Sequence, residues 1–451
     1  MPAVLWFRRD LRLSDLPALL AASESDGADT EVLACYVLDP RLKASAGPRR
    51  LQYLYDALRE LQDALDGRLL VTRGHPRIRI PALAKAIGAT SVHVSQDFSP
   101  FGRRRDEQVR DALGDVELVA TGSPYLVSPG RVSKGDGTPY KVFTPFFDAW
   151  RKHGWRSPAE SGPGSARWID PADVPGSPDI AEIPDAGVDL ELPAGEQAAR
   201  RQWEQFTRTG LAGYADDRNR PDRDGISRMS AHLKFGAIHP RTLAAELGRG
   251  KGAQAYLREL AFRDFYAAVL HEWPDSAWWN WNSAFDRIEV DEGSDAEQAF
   301  EAWKAGRTGF PIVDAGMRQL AGTGFMHNRV RMIVASFLVK DLHLPWQWGA
   351  RWFLDQLVDG DMASNQHGWQ WAAGCGTDAA PYFRVFNPTT QGAKFDPSGA
   401  YVRRWVPELA GLDDAVDVHK LDGNRPGDYP DPIVDHANER AEALRRYGAL
   451  K

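Results

Sequence analysis

The sequence predicts an α/β half followed by an all-α half. Three observations predict it: short apolar runs alternating with helical spacing before about residue 125, a Pro- and Gly-rich stretch from Arg151 to Gly195, and helical spacing from about residue 197 onward. The expected boundaries are 1–130 for the α/β domain, 131–196 for the connection and 197–451 for the helical domain. At roughly 150 residues per domain, 451 residues suit two or three such units.

Val4 to Phe7, Val32 to Leu38, Leu69 to Val71, Ser91 to Ser95 and Val116 to Val119 are apolar runs of strand length. Between two of them Leu51, Leu54, Tyr55, Leu58, Leu61 and Leu65 fall at helical spacing and predict a helix with one buried stripe. Strands that alternate with helices imply a parallel sheet with crossover helices, a Rossmann-like arrangement. It carries no GxGxxG or GxxxxGK[ST] loop, so phosphates are not gripped in the usual way. The stretch from Arg151 to Gly195 holds seven prolines and six glycines and reads as an irregular connection between domains. Beyond it, Ala253 to Val269, Ala296 to Lys304, Ile312 to Gly322 and Val330 to Leu342 read as helices. Twelve of the sixteen tryptophans lie in this half, where they serve as core residues or as rings that stack on flat ligands and relay electrons.

Composition narrows the function. Hydrophobic residues at 43% and charged residues at 26% exclude a disordered or collagen-like chain. The longest apolar run has seven residues, Val32 to Leu38, against the roughly 20 needed to span a bilayer. The N-terminus MPAVLWFRRDLRLSD lacks a signal-peptide core, so a cytoplasmic location is expected, with no membrane association. Cys35 and Cys375 form neither a disulfide framework nor a CxxC metal site, and no metal is expected. Net charge is −7, which counts against bulk electrostatic binding to nucleic acid, although residues 201–250 and 301–350 each carry an excess of three positive charges.

Four segments of the helical half are dense in polar residues: YADDRNRPDRDGISRMSAHLKFG (214–236), YLRELAFRDFY (256–266), MHNRVRM (326–332) and DGDMASNQHGWQWAAGCGTDAAPYFRVFNPTTQG (359–392). These segments, with LWFRRDLRLSD near the N-terminus, resemble the DNA photolyase and cryptochrome family, and most closely its class I cyclobutane pyrimidine dimer photolyases. The resemblance covers nearly the whole chain, from Leu5 to His436.

The resemblance implies FAD in the helical domain, held by Tyr214, Ile226, Ser227, Arg228, Met229, Ser230, Tyr256, Arg263, Arg331 and Asp359, Gly360 and Asp361. Hydroxyls and N–H groups at a helix start suit a diphosphate, the role expected of Ser227 and Ser230. Ile226 stands where the family has threonine. Arg331 and Asp359 match a salt bridge beside the flavin. Asn365 matches the position facing flavin N5, where plant cryptochromes carry aspartate and animal cryptochromes cysteine; a neutral amide tolerates a reduced, anionic flavin. In the lesion pocket Glu259 matches the carboxylate that hydrogen-bonds thymine, Asn328 and Met332 line the base pocket, and Trp371 stacks on the lesion. Arg218, Arg329 and Gln391 match DNA contacts. His327 reads as a structural histidine.

The implied activity is light-driven repair of cyclobutane pyrimidine dimers, a carbon–carbon lyase reaction on UV-damaged single- or double-stranded DNA, by a monomer. Other readings are a cryptochrome-like light sensor, a (6-4) photolyase and an NAD(P)H-dependent flavin oxidoreductase. The (6-4) enzymes place histidines where this chain has Asn328 and Met332, and a dinucleotide fingerprint for NAD(P)H is missing. Trp369 and Trp346 match the inner members of a tryptophan relay, while the place of the outermost holds Val290 or Gly293; Trp348, Trp281 and Trp303 are substitutes. Phe262 and Phe325 replace two further tryptophans. A second, antenna chromophore is expected, of deazaflavin rather than folate type because Phe101 and Gly102 stand where folate binders have asparagine and glutamate, with Arg50, Asp97 and Lys234 as its contacts.

Overall fold

The computed structural model describes every residue except 28, 177–178, 379–382, 414–415, 422 and 451. The first sheet strands are β1 (Ala3–Phe7), β2 (Glu31–Leu38), β3 (Leu69–Arg73), β4 (Ser91–Val94) and β5 (Glu117–Ala120). They run parallel in the order β3-β2-β1-β4-β5. Each expected strand is present, displaced by at most two residues at an end. The runs are mainly apolar, as strands buried on both faces of a parallel sheet are, and residues 3–7 are at most 2% exposed.

The helix predicted around Leu51–Leu65 spans Pro48–Ala64 and buries Tyr55, Leu58 and Leu61. Asp39 and Ser99 cap the helices that follow β2 and β4 with side-chain acceptors for Arg41 N and Gly102 N.

The chain divides into two compact units, Met1–Thr209 with Ser227–Pro274, and Gly210–Ile226 with Asp275–Lys451. The expected boundary at 196/197 does not coincide with this division. Helix Lys251–Glu272 belongs to the first unit, where Phe262 and Phe265 pack against helix Phe143–His153. That helix lies within the 131–196 stretch, and further along the same stretch β6 (Arg167–Trp168) pairs with β2. The connection is therefore stitched to its own unit. Tertiary partners, not local composition, order these short elements.

The second unit is helical. Its main helices are Ser294–Lys304, Pro311–Thr323, Asn328–Lys340, Trp346–Gln356 and Met362–Ala373, around a core containing Trp303, Ile312, Val330, Phe337, Phe353 and Trp369. Gly316 and Gly349 allow the close approaches: a Cβ on Gly349 would lie 2.1 Å from the Trp369 ring. Among the described residues no helix is long and apolar enough to cross a membrane.

Candidate flavin and nucleic-acid site

In the first unit, Ser227, Tyr256, Glu259 and Arg263 lie on two neighbouring segments. The Ser227 hydroxyl and Tyr256 hydroxyl are 2.9 Å apart and both residues are buried. Gln202 Nε2 donates to Ser227 O at 3.0 Å and Met229 N donates to Ser227 Oγ at 3.3 Å. Between these two, Arg228 has φ +53°, in the left-handed region that a residue with a Cβ rarely adopts. Such strain persists where its surroundings fix it. Met229 is the N-cap of helix Ser230–Phe235, and Ser230 is exposed at its first turn.

Arg263 spends its guanidinium inside the unit: Nη1 donates to Pro124 O at 2.7 Å, Nη2 to Leu233 O at 3.1 Å, and the group lies 4.7 Å from the Tyr125 ring. Next to it Asp264 accepts from Val127 N and Trp150 Nε1, and burial pushes its carboxyl up to about 6. Phe262 stacks on Phe143 with ring centroids 3.4 Å apart, so one face of the ring is covered by protein. Burial raises the Tyr256 hydroxyl above its ordinary range and keeps it protonated.

In the second unit, Arg331 Nη2 and Asp359 form the expected salt bridge at 2.8 Å, with Asp359 only 5% exposed at its side chain. Arg331 Nε also donates to Met326 O, and its guanidinium lies over Phe325 at 5.8 Å. Gly360 is buried, and Asp361 caps helix Met362–Ala373 by accepting from Ser364 N. One turn later both amide hydrogens of Asn365 are used, on Ala350 O at 3.0 Å and Gln366 Oε1 at 2.7 Å. Its Oδ1 is left as an uncharged acceptor.

His327 caps helix Asn328–Lys340 through Nδ1, which accepts from Arg329 N, in keeping with a structural histidine. Asn328 is exposed at the first turn. Arg329 grips Asn219 Oδ1 at 2.8 Å and lies 3.5 Å from Met332 Sδ. Tyr214 is buried, Arg218 and Ile226 are half-buried, and Gln391 lies half-buried on helix Pro388–Phe395. Trp371 lines a cavity of about 30 Å³ with Lys340, Phe383 and Tyr447, large enough for water and too small for a base. Burial pulls the Lys340 ammonium down to about 7. Four residues of the long polar segment, 379–382, fall outside the described residues.

Sequence reasoning missed Asn219 and Gln366. Both are amides that fix a neighbour, and no spacing rule announces such a tertiary role. Gly293 has φ +84° just before helix Ser294–Lys304, so one of the two places considered for the outermost relay tryptophan, Val290 or Gly293, is a conformation that suits glycine.

The antenna candidates fall within the first unit. Asp97 follows β4 and Arg8 follows β1, the two central strands at which the sheet order reverses, where open α/β sheets bind ligands. Asp97 pairs with Arg105 at 3.3 Å; although burial opposes its charge, Arg105, Arg9 and Arg8 hold its carboxyl well below the usual range. Arg8 and Arg105 both lie over Trp6, at 4.8 and 5.1 Å. Arg50 donates to Ser45 O, and Lys234 O accepts from Arg9.

In the first unit the strained Ser227–Met229 turn carries a buried hydroxyl, and in the second a half-buried arginine pairs with buried Asp359 while Asn365 offers a neutral acceptor. A family model described as DNA photolyase matches residues 3–164, and one described as the FAD binding domain of DNA photolyase matches residues 256–449. The deoxyribodipyrimidine photo-lyase of Streptomyces griseus is 41% identical, with 99% of each chain covered. That of Escherichia coli K12 is 38% identical over 99% of this chain and 98% of its own. A class III photolyase from Agrobacterium tumefaciens has a solved structure with a TM-score of 0.87 at 36% identity, over 100% of this chain and 97% of that one. The chain belongs to the DNA photolyase family.

Proposed function

We propose that this chain is a class I photolyase that repairs cyclobutane pyrimidine dimers in DNA under light, with FAD as its cofactor. The observation that carries this reading is Asn365, whose two amide hydrogens are spent inside the protein. An uncharged acceptor tolerates an anionic flavin where a carboxylate would oppose it. When bound, reduced FAD supplies the light-excited electron that opens the cyclobutane ring and receives it back, so there is no net redox change.

The protein's part is to bind, orient and exclude water. Ser227, Ser230 and the N–H groups of the turn between them would hold phosphate oxygens, and the Arg331–Asp359 pair would fix the flavin's surroundings. Tyr214, Ile226, Arg228, Tyr256, Gly360 and Asp361 complete the cofactor set, with Arg263 as a brace. Glu259 would hydrogen-bond the dimer, Asn328 and Met332 would line its pocket, and Trp371 would stack on it. Withdrawing a dimer from the duplex costs a few kcal/mol, and stacking on an aromatic face returns about 1–3 kcal/mol per base. Arg218, Arg329 and Gln391 would position phosphates, a role that carries no sequence information and suits an enzyme that seeks lesions. A deazaflavin-type antenna is the second chromophore; Phe101 and Gly102 offer no side-chain hydrogen bond to a folate.

FAD-loaded, chemically reduced protein mixed with UV-irradiated oligonucleotide should restore unmodified thymines under blue light. Dimers that persist while the flavin stays reduced would replace repair with the light-sensor reading. Glu259→Ala should lower repair per absorbed photon at full FAD content; equal yields would remove Glu259 from the lesion pocket.

A further inference from the structure

We infer that Lys340 is a positioning residue for the lesion pocket: its side chain pins the stretch 383–386 against the helix that carries Trp371. This rests on the stacking role proposed above for Trp371. Lys340 closes helix Asn328–Lys340 and is 4% exposed. Its Nζ donates to Arg384 O and lies 4.2 Å from the centre of the Phe383 ring. One turn earlier on the same helix, Ser336 Oγ accepts from Phe386 N at 3.4 Å. Two side chains of one helix thus hold both ends of a stretch that forms no helix or strand of its own.

The pinned stretch adjoins two residues proposed to face the nucleic acid. The Phe383 ring abuts Gly374, the C-cap of helix Met362–Ala373, where a Cβ would meet the ring at 3.2 Å. Trp371 lies on the last turn of that helix. At its other end the stretch runs into Asn387, which caps helix Pro388–Phe395 by accepting from Thr390 N at 2.9 Å, and Gln391 lies on that helix. Tyr447 of helix His436–Gly448 stacks on Phe383 at 4.4 Å with the ring planes 8° apart. Lys340, Trp371, Phe383 and Tyr447 then surround the water-sized cavity, so the wall behind Trp371 is built around the lysine. All of these residues lie within the second unit.

The charge of Lys340 sets how firmly the stretch is held. Burial lowers its ammonium to about 7, while Asp341 and Cys375 favour the charged form. Asp341 follows Lys340 in the chain and bonds His436 of helix His436–Gly448, with His343 and Glu439 also facing it. Burial pushes the Cys375 thiol up and keeps it neutral, and Arg384 and Tyr447 line the same cavity. A peptide carbonyl and a ring face both bind a cation more strongly than a neutral amine. A dimer that stacks on the pinned wall therefore prefers the ammonium form and, by reciprocity, keeps the proton on Lys340.

The test uses FAD-loaded protein in the dark and compares oligonucleotides with and without a cyclobutane thymine dimer. The wild-type preference for the dimer should fall about threefold to tenfold from pH 6 to pH 8.5, the size of exchanging a charged hydrogen bond for a neutral one. Lys340→Met keeps the length without the charge and should show the lower preference at every pH. Phe383→Leu removes the ring face that favours the cation and should move the transition to lower pH; it carries the test if Lys340→Met does not retain FAD. A level preference in the wild type, a transition that persists in Lys340→Met, or one unmoved in Phe383→Leu overturns the inference. A wild type that prefers the dimer at no pH would strike the proposed function instead.

Discussion

The sheet and the second unit exclude water by different means. In β1 five successive apolar side chains are buried and the backbone satisfies itself across parallel neighbours. The second unit instead buries polar groups that each serve a stretch of irregular backbone. Asp314 accepts from Thr308 N, Thr308 Oγ1, Gly309 N and Tyr429 Oη. Gln370 donates to Ser276 O and accepts from Trp281 N, while Gln366 donates to Ala277 O. Asp396 accepts from Tyr401 N and Val402 N. A helix dense in polar residues is therefore not by itself a functional surface: Gln366 and Gln370, in the same helix as Asn365, hold up the fold.

The comparison breaks most visibly at Asp314. Asp314→Ala strands four buried donors, each at about 1–3 kcal/mol, and should give the largest loss in urea unfolding. Asp314→Asn, which keeps an acceptor, should lose less; equal losses would mean that side-chain volume and not hydrogen bonding sets the cost. In the sheet the matching probe is Leu5→Ala, fully buried in β1 and expected to cost about 2–5 kcal/mol through lost contacts and a cavity. A near-neutral result there would show that the strand relaxes to fill the space.

The smallest effect should be shared by both regions. His232 in the first unit and His367 in the second are buried, and desolvation lowers each from 6.5 to about 4. The unfolded chain takes up these protons near pH 6.5 and the folded chain does not until about pH 4. Stability is thus full above pH 6.5 and falls as pH drops toward 4, by about 1.4 kcal/mol per pH unit for each histidine. Unfolding midpoints across pH 7.5 to 5 read this slope. His232→Asn or His367→Asn should each remove one proton from it, and an unchanged slope would assign the dependence to other groups.

Much of the fold was legible because a doubly covered parallel sheet writes itself as short apolar runs, as in Val32 to Leu38. The two-residue strand Arg167–Trp168 and helix Phe143–His153 were not, since each depends on a partner far along the chain. Of the candidate site, the Arg331–Asp359 pair was legible as a residue match, and the two side chains do meet. The Trp303–Trp369 contact joins residues 66 positions apart on different helices, and no local pattern encodes it. The bond from Asn365 to Ala350 O likewise emerges only once helix Met362–Ala373 is laid beside Trp346–Gln356, whereas the cap that Asp361 makes on Ser364 N is local.

Gly349 carries one further consequence. Because a bare backbone abuts the Trp369 indole at Gly349, that side of the ring is set by the spacing of two helices, while Phe353 and Trp303 pack against it elsewhere. Its tilt should then be a rigid fiducial, indifferent to mutation at the periphery and altered by changes that pry the two helices apart or truncate those two rings.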